Sequence, residues 1–224
     1  DTVRSFSRGD YPQLRRLGVE LERGDIGDYR AVEEACRGVD VVFHVAAKAG
    51  VWGAYEEFHR ANVQGTRNVI DACRRRGVGR LVHTSSPSVV FDGRDQEGVN
   101  ETTPYSERFE AAYPRTKAEA ERLVLAADGL DLATVALRPH LIWGPGDNHL
   151  IPRILAQARR GRMRRISGPP CLVDCIYIDN CVDAHLAAAD RLAVGSAIAG
   201  KAYFLSQDQP IPVWELIDRI LGAA

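Results

Sequence analysis

Long apolar runs, an excess of charge of one sign and a regular set of cysteines are all missing from this chain of 224 residues. No apolar stretch approaches the roughly 20 residues that a membrane-spanning helix needs, and the first ten residues lack the apolar centre of a secretion signal. A formal net charge of −1 gives no general attraction to nucleic acid or to an anionic membrane. These absences predict a cytoplasmic protein with no membrane span and no nucleic-acid partner.

The five cysteines are odd in number and form no regular framework, which argues against a disulfide scaffold. Cys171, Cys175, Cys181 and His185 lie in one region, but their spacing does not match the paired short knuckles of structural zinc sites. We predict small buried side chains here and no metal site. The arginine-rich run at 159–165 could contact phosphate or RNA, yet its place after a predicted helix favours a solvated basic turn.

Lysine is also scarce, since only Lys48, Lys117 and Lys201 occur among 29 basic residues. One of the three completes a Tyr113-x-x-x-Lys117 pair, whose side chains share one face of a predicted helix. A free tyrosine titrates at about pH 10, and a nearby ammonium stabilises the phenolate and lowers that pKa. Tyr113 is therefore a candidate general acid or base, and a serine at the end of the preceding strand could hold a carbonyl oxygen.

The first part of the chain alternates strand-like and helix-like segments. Predicted strands occupy 2–7, 19–22, 39–45, 80–85 and 132–138, and predicted helices occupy 28–37, 55–76 and 113–127. The apolar run at 39–45 is typical of a strand buried on both faces of a parallel sheet. The alternation predicts right-handed crossovers and an α/β fold with a doubly wound, Rossmann-like parallel sheet.

Beyond Gly144-Pro145-Gly146 the pattern loosens. Predicted helices occupy 151–160, 180–193 and 213–221, and short strands lie near 175–178 and 201–205. We predict a Rossmann-like domain over 1–143 and a smaller, partly interleaved C-terminal lobe over 144–224 that binds substrate. Open α/β sheets bind ligands at the carboxyl ends of their strands, where such a lobe would lie.

Five motifs, in this order, resemble those of the extended short-chain dehydrogenase/reductase superfamily. They are Gly24-Asp25-Ile26, His44-Val45-Ala46-Ala47, Asn62-Val63-Gln64-Gly65-Thr66, the set of Thr84-Ser85-Ser86 with Tyr113 and Lys117, and Leu137-Arg138-Pro139 followed by Gly144-Pro145-Gly146. The resemblance covers nearly the whole chain. It implies an NAD(P)-dependent oxidoreductase acting on CH–OH groups, with Ser86, Tyr113 and Lys117 as its catalytic residues. Ser85 replaces Ser86 if the strand register differs by one.

The same resemblance implies cofactor contacts at the carboxyl ends of the strands. Asp25 would hydrogen-bond the adenine amino group, Ala46 and Ala47 would let the cofactor lie close, and Asn62 would mainly hold the sheet. Lys117 would also bind the nicotinamide ribose. The other implied cofactor contacts are Ser7, Arg8, Ile26, Lys48, Thr84, Ser85, Tyr113, Pro139, His140 and Leu141.

Members of this superfamily begin with a strand and a glycine-rich turn that binds the pyrophosphate at a helix N-terminus. Here the first residues resemble the second strand, so we expect a fragment that lacks the first βα unit and a C-terminal piece. This strand ends in Ser7-Arg8, and an arginine there suits a 2′-phosphate, whereas an acid suits free ribose hydroxyls. NADP(H) is therefore favoured, and NAD(H) stays possible.

Two segments bear on the substrate class. Nucleotide-sugar epimerases and dehydratases carry an arginine that clamps the sugar diphosphate where this chain has Val173, and their S-x-V-Y-G segment is replaced by residues 88–93. Both replacements resemble the 3β-hydroxysteroid dehydrogenase branch, which includes sterol decarboxylating dehydrogenases. Segments 48–53 and 90–93 resemble its bacterial reductases of 2-alkyl-3-oxoalkanoic acids in long-chain olefin synthesis.

The resemblance implies a large apolar substrate of the acyl or steroid type. An apolar wall would come from Val51, Trp52, Phe91, Leu141, Ile142 and Trp143, each of which could also be a core residue. Lys48 could reach a substrate carboxylate, with a solvated lysine as the alternative. The candidate substrate contacts are Lys48, Trp52, Ser88, Phe91 and Trp143.

The predicted function is NADP(H)-dependent interconversion of a ketone and a secondary alcohol on a 2-alkyl-3-oxoalkanoic acid or a 3-oxo/3β-hydroxysteroid. A nucleotide-sugar 4-epimerase or dehydratase is an alternative that shares the fold and the catalytic set. A non-catalytic NADP-sensing protein is the alternative from another class. His140 is a further candidate for proton transfer, with a packed histidine as the alternative. The superfamily also implies a homodimer formed through 55–76 and 113–127.

Overall fold

The computed structural model describes residues 1–50, 52–148, 150–165 and 168–223, and these form two compact units. The first unit comprises Asp1–Arg138 and His185–Tyr203, and the second comprises Pro139–Ala184 and Phe204–Ala224. Residues 185–203 thus belong with the first unit, and the second begins five residues before the predicted boundary. The predicted substrate-binding role of 144–224 stays a prediction.

Among the described residues, six strands form the sheets of the first unit. They are β1 (Arg4–Ser7), β2 (Glu20–Arg23), β3 (Val41–His44), β4 (Arg80–Thr84), β5 (Ala133–Pro139) and β9 (Lys201–Leu205). β1 pairs with β2 in one sheet, and the order β3-β4-β5-β9 makes a second, with β3, β4 and β5 mutually parallel. The prediction of an α/β fold with Rossmann-like parallel strands and flanking helices is confirmed.

One detail of that prediction is wrong, because β3 is not buried on both faces. Phe43 is 41% exposed and Val45, just beyond the strand, is 59% exposed, whereas His44 is buried. Among the described residues, β3 also pairs with β4 alone, so it is an edge strand. β5 is instead the strand that is buried throughout its length.

Local signals mark the ends of some of the helices. α1 (Pro12–Arg16) is too short to have shown a pattern, and α2 (Tyr29–Ala35) begins at Asp28, whose carboxylate accepts hydrogen bonds from two backbone amides. α5 (Ala112–Ala126) carries Pro114 in its first turn, and α7 covers Ile178–Arg191.

The predicted helix 55–76 is continuous but not uniform. α3 (Tyr55–Phe58) passes into a π-helical segment at His59–Gln64, and α4 (Gly65–Arg76) follows. α4 ends at Gly77, which is left-handed with φ +70° and donates its amide to the Arg74 carbonyl. The π-helical segment was not predicted, since nothing in the apolar spacing reveals a single widened turn.

A hydrophobic core joins these elements. Val69, Ile70 and Cys73 of α4 belong to a cluster with Leu81 of β4, Val124 of α5 and Leu132, which directly precedes β5. Cys36 and Cys73 are buried here as free thiols. The core fixes α4 and α5 beside the strands, and this sets the position of every side chain that α5 presents.

The second unit contains short strands and two amphipathic helices. β6 (Leu141–Trp143) pairs in parallel with β8 (Cys175–Tyr177), and β7 (Leu172–Val173) pairs antiparallel with β10 (Ile211–Pro212). α6 (Leu150–Arg159) and α8 (Val213–Gly222) contact each other. β6, β7 and β10 were not predicted, because strands of two or three residues are too short to show alternation.

None of the described helices is long and apolar enough to cross a membrane. The arginine-rich run lies exposed after α6, and its last member, Arg165, pairs with Asp218 and stacks over the ring of Trp214.

Candidate active site

The loop after β4 and the first turns of α5 bring together the three predicted catalytic side chains. Ser86 follows the strand, and its Oγ accepts a hydrogen bond from the Ser88 amide at 3.2 Å. Tyr113 and Lys117 lie one turn apart on α5. Thr116, between them, donates its hydroxyl to the Ala112 carbonyl at 2.8 Å and so turns its own side chain back into the helix.

Ser86, and not Ser85, meets the tyrosine. A hydrogen bond between the Ser86 and Tyr113 hydroxyls acts to lower the tyrosine pKa, but burial has the larger effect and raises that pKa above its ordinary value. Ser85 is buried on the opposite face of the chain, and its Oγ has no hydrogen-bond partner among the described residues. Burial therefore outweighs the lowering that we expected from Lys117, and Tyr113 is a neutral phenol at pH 7.

Lys117 is 2% exposed and its ammonium is held by the end of β4. Nζ donates to the Thr84 carbonyl at 2.6 Å and lies 3.4 Å from Nε2 of His83. Burial lowers the Lys117 pKa to about 8, against a smaller opposing effect of the Glu121 carboxylate. The ammonium is therefore mostly charged at pH 7, although it is almost fully removed from water.

His83 and His44 were not predicted as site residues, and they lie next to this ammonium. They face each other across β3 and β4 with ring centroids 4.9 Å apart. Burial and the charge of Lys117 lower the pKa of His44 to about 3 and that of His83 well below its ordinary value, so both rings are neutral. The sequence signal was present, since His83 directly precedes the Thr84-Ser85-Ser86 motif.

Asn62, in the π-helical segment, connects two parts of the site. Its Oδ1 accepts from the Lys48 amide at 2.7 Å, and its Nδ2 donates to the Lys48 carbonyl at 3.1 Å and to Thr116 Oγ1 at 3.0 Å. The side chain therefore fixes the loop after β3 to α5. This differs from the predicted role of holding the sheet. The widened helical turn carries the side chain that makes these connections.

The residues predicted to contact the cofactor's adenosine half lie at strand ends. Asp25 accepts from the Gly27 amide at 2.8 Å and pairs with Arg60 at 3.2 Å, and the Gly27 hydrogen bond is the main cause of its lowered pKa. Arg8 is exposed after β1, and its charge also lowers the Asp25 pKa. Ser7 donates its hydroxyl to the Gly9 carbonyl at 3.1 Å.

Ile26 and the two alanines complete that set. The Ile26 carbonyl accepts from Asn68 Nδ2 at 2.8 Å, and its side chain packs against Gly65. Ala46 and Ala47 are exposed after β3. Thr84 uses its carbonyl for Lys117, and its hydroxyl lies 2.8 Å from Nε2 of His185.

Two of the candidate substrate contacts in the first unit, Lys48 and Ser88, already have partners of their own. Lys48 Nζ pairs with Glu57 Oε2 at 2.9 Å and lies 5.2 Å from the centre of the Phe58 ring. Trp52 is 88% exposed and Phe91 45% exposed, so neither is a core residue. The Ser88 hydroxyl is 2.8 Å from that of Ser86. Val51 lies outside the described residues.

The remaining predicted residues belong to the second unit. The His140 amide donates to the Leu205 carbonyl at 2.9 Å, its ring lies 5.8 Å from that of Phe204, and burial lowers its pKa. Leu141, Ile142 and Trp143 of β6 are all exposed to a similar degree, and Pro139 ends β5. Their predicted roles stay predictions.

A buried ion pair supports α5 from below the candidate site. Arg138 donates two hydrogen bonds to the Glu121 carboxylate, which also accepts from the Tyr105 hydroxyl at 2.7 Å. Glu121 is completely buried. Sequence spacing could not have revealed this pair, because its members are distant in the chain and each also fits a surface position.

Comparison with known proteins places the chain among oxidoreductases. A family model described as the 3-beta hydroxysteroid dehydrogenase/isomerase family matches residues 3–223. A 2-alkyl-3-oxoalkanoate reductase of Stenotrophomonas maltophilia (strain K279a) is 52% identical over 223 residues, which cover 99% of this chain and 68% of that protein. A protein of the same name from Shewanella oneidensis is 46% identical over 228 residues, covering 98% of this chain and 59% of that protein.

A human relative and two solved structures extend this comparison. The sterol-4-alpha-carboxylate 3-dehydrogenase, decarboxylating, of Homo sapiens is 38% identical, covering 95% of this chain and 56% of that protein. MoeE5 in complex with UDP-glucose and NAD superposes with a TM-score of 0.82 at 26% identity, covering 100% of this chain and 74% of that one. DesIV, a dTDP-glucose 4,6-dehydratase from Streptomyces venezuelae, gives 0.82 at 23%, covering 100% and 71%, and supports the fold alone.

Proposed function

The chain belongs to the 3-beta hydroxysteroid dehydrogenase/isomerase family, and on that premise we propose that its parent protein reduces a ketone to a secondary alcohol with NADPH. The proposed substrate is a large apolar 3-oxo compound, with a 2-alkyl-3-oxoalkanoic acid favoured over a 3-oxosteroid. The chain spans 68% and 59% of the lengths of the two bacterial reductases cited above, so the activity is proposed for the whole protein.

The observation that carries the proposal is the grouping of Ser86, Tyr113 and Lys117. Because burial raises its pKa, Tyr113 holds its proton at pH 7 and can donate that proton to a carbonyl oxygen. Ser86 can hydrogen-bond the same oxygen and keep it beside the phenol. The buried, positively charged ammonium of Lys117 stabilises the Tyr113 phenolate that remains after the proton transfer.

The residues at the strand ends fit a dinucleotide. When bound, the nicotinamide supplies the hydride, and the chain positions and protonates the substrate. Ala46 and Ala47 are small and exposed, so backbone and ligand can approach closely, and the Lys117 ammonium has three donors while two acceptors for them are described. Arg8 and Asp25 would hold the adenosine half, and the exposed guanidinium of Arg8 favours a 2′-phosphate.

Lys48 is the proposed contact for a substrate carboxylate. Its backbone is held by Asn62, and its ammonium pairs with the Glu57 carboxylate at 2.9 Å. A substrate carboxylate could replace Glu57 in this pair with little net change in solvation. A 2-alkyl-3-oxoalkanoic acid carries such a group, whereas a 3-oxosteroid need not, and this favours the acid.

The test is an NADPH-oxidation assay with full-length protein and three substrates: a 2-alkyl-3-oxoalkanoic acid, a 3-oxosteroid and a UDP-4-keto-sugar. We expect turnover of the acid, and turnover of the steroid alone would move the protein to the sterol enzymes. Turnover of the sugar alone would favour an epimerase or dehydratase. NADPH binding with no turnover of any substrate would favour a sensor and overturn the proposal.

The Lys48 contact has its own comparison. Lys48→Met should raise KM for the acid about tenfold and leave KM for its methyl ester unchanged, because only the acid offers a charged partner. Glu57→Gln is the matched control, since it removes the competing carboxylate and should lower KM for the acid. Equal effects of Lys48→Met on acid and ester would remove Lys48 from substrate recognition.

A further inference from the structure

Three of the six histidines in the chain surround the buried Lys117 ammonium. His83 Nε2 is 3.4 Å from Nζ, and the His44 ring contacts the His83 ring at an interplanar angle of 43°. His185 hydrogen-bonds the hydroxyl of Thr84, whose carbonyl accepts from Nζ. No step of the proposed reaction uses these rings. Their place beside a single cation therefore calls for a separate explanation.

A connected set of hydrogen bonds leads from His44 to the rest of the site. His44 Nε2 is 2.8 Å from Thr66 Oγ1, and Thr66 donates its hydroxyl to the Asn62 carbonyl in the π-helical segment. Asn62 in turn holds the Lys48 backbone and Thr116 of α5. The hydrogen bonds of His44 therefore reach the π-helical segment and, through Asn62, the helix α5 that carries Lys117.

A neutral imidazole has a property that other partners of a buried ammonium lack. A carboxylate in its place would cancel the charge and weaken the effect of Lys117 on the Tyr113 phenolate. An apolar side chain would leave one N–H of the ammonium buried without an acceptor. Nε2 of a neutral histidine accepts a hydrogen bond while leaving the full positive charge in place.

We propose that His83 is a positioning residue for Lys117: its Nε2 accepts a hydrogen bond from Nζ and, with the Thr84 carbonyl, fixes the ammonium so that its remaining N–H is available to the reaction. The inference deepens the proposed function, on which it rests for the role of Lys117. His44 is the second member of the device, because its ring backs the His83 ring across the two strands.

The charged and titratable groups that face Lys117 define the expected pH effect. They are His83 and His44 from the strands, His185 from α7, and Tyr113 and Glu121 from its own helix. The Glu121 carboxylate is bound by Arg138 and by the Tyr105 hydroxyl. Removing the His83 acceptor therefore destabilises the ammonium relative to the amine, and the Lys117 pKa falls further below its ordinary value.

The experiment compares His83→Leu, which removes the acceptor, with His83→Gln, whose amide oxygen can reach the position of Nε2. In the full-length enzyme, His83→Leu should move the alkaline limb of kcat down by about one pH unit, the effect of one hydrogen bond to a charged group. KM should change less than kcat, and His83→Gln should restore most of the wild-type profile. His59→Gln, outside the network, is the control.

A second readout does not depend on turnover. Lysine labelled with ¹³C at Cε gives few resonances, because this chain contributes only Lys48, Lys117 and Lys201, and Lys117→Arg assigns the relevant one. Its titration should move to lower pH in His83→Leu and return in His83→Gln. If His83→Leu does not fold, His83→Asn replaces it, since the shorter amide cannot reach Nζ.

The outcomes separate the two proposals. An unchanged Lys117 titration in the Leu or Asn variant, or a loss of kcat that is equal at every pH, would overturn the role of His83. Absence of turnover in the wild type would contradict the proposed function, and the NMR titration would still decide whether His83 and Lys117 are coupled.

Discussion

Tyr113 is the residue on which the proposed chemistry depends most directly. Tyr113→Phe removes one oxygen and should lower kcat about 10²–10⁴-fold, because a positioned general acid contributes that factor. Cofactor affinity should stay within about twofold, since Lys117 and the strand ends are untouched. Tyr55→Phe is the matched control. It removes a tyrosine hydroxyl that donates a hydrogen bond to Glu119 at 3.2 Å and lies outside the catalytic set. Near-wild-type turnover of Tyr113→Phe would exclude proton donation by this phenol.

The buried charge of Lys117 lowers the free energy of unfolding at neutral pH. Its pKa is about 8 in the folded chain against 10.5 ordinarily, so the penalty of the buried charge is fully present below pH 8 and disappears as pH rises to about 10.5. This net difference corresponds to about 3 kcal/mol. Lys117→Met should therefore abolish turnover and raise the unfolding free energy at pH 7 by about 3 kcal/mol or less.

Urea unfolding at pH 7 and pH 9.5 measures this gain. The stability difference between Lys117→Met and wild type should shrink at the higher pH, because more of the wild-type lysine is then neutral. A variant that is less stable than wild type at pH 7 would show that the contacts of the ammonium outweigh its desolvation.

Arg8 tests the cofactor preference. Arg8 is exposed after β1. The guanidinium of Arg4, in contrast, is already bound by Glu20, by Glu22 and by two backbone carbonyls. Arg8→Ala should lower the preference for NADPH over NADH, measured as the ratio of kcat/KM, by about tenfold or more. Arg30→Ala, on the exposed side of α2, is the control. An unchanged ratio of kcat/KM for the two cofactors would show that Arg8 does not bind the 2′-phosphate.

At the scale of elements, the join between the π-helical segment and α4 sets the close approach to the loop after β2. A Cβ on Gly65 would lie 2.8 Å from Ile26 Cγ2, which is too close for any side chain. Gly65→Ala should therefore lower the unfolding free energy by about 1–3 kcal/mol, because the branched Ile26 cannot move aside without repacking. Gly79→Ala, where the new Cβ meets nothing within 4 Å, should have almost no effect. Equal melting temperatures for the two variants would contradict this account.

At the same scale, α5 carries two tasks on different faces. Tyr113 and Lys117 occupy the face toward the end of β4, and Glu121, one turn later, is buried against Arg138. Such a pair is weak support for net stability, but losing one member leaves a buried charge without a partner. The ion pair thus fixes the rotation of α5, and that rotation decides which residues reach Ser86.

At the scale of the whole molecule, the two buried histidines make the fold sensitive to acid. Both have a lowered pKa, so they are neutral when folded and gain a proton on unfolding below about pH 6.5. Each should lower the unfolding free energy by about 1.4 kcal/mol per pH unit as pH falls from 6.5, continuing for His44 to about pH 3.

Chemical unfolding of wild type and His44→Gln between pH 6 and 4.5 isolates this effect. The glutamine amide can still reach Thr66 but does not titrate. The variant should therefore take up one proton fewer than wild type on unfolding, and its unfolding free energy should depend less steeply on pH. Above pH 7.5 the difference between the two proteins should not depend on pH. Identical slopes below pH 6 would place the titration of His44 outside the unfolding reaction.

The sequence by itself determined the order and type of the main elements and the positions of Tyr113, Lys117 and the serine motif. These follow from local signals: apolar periodicity and the four-residue spacing on α5. The same signals do not predict short strands such as β6 and β7, or the π-helical turn. Each of these elements has too few residues to show a periodic pattern.

Only the tertiary structure decided which serine meets Tyr113, where the Lys117 ammonium lies and what holds it. His83 and Lys117 are 34 residues apart, and Asn62 and Thr116 are 54 apart. Such contacts depend on how strands and helices pack, and packing also sets the burial that shifts each pKa. Motif spacing therefore located the candidate catalytic set, while the neutral histidine pair beneath it became visible only once β3, β4 and α5 were brought together.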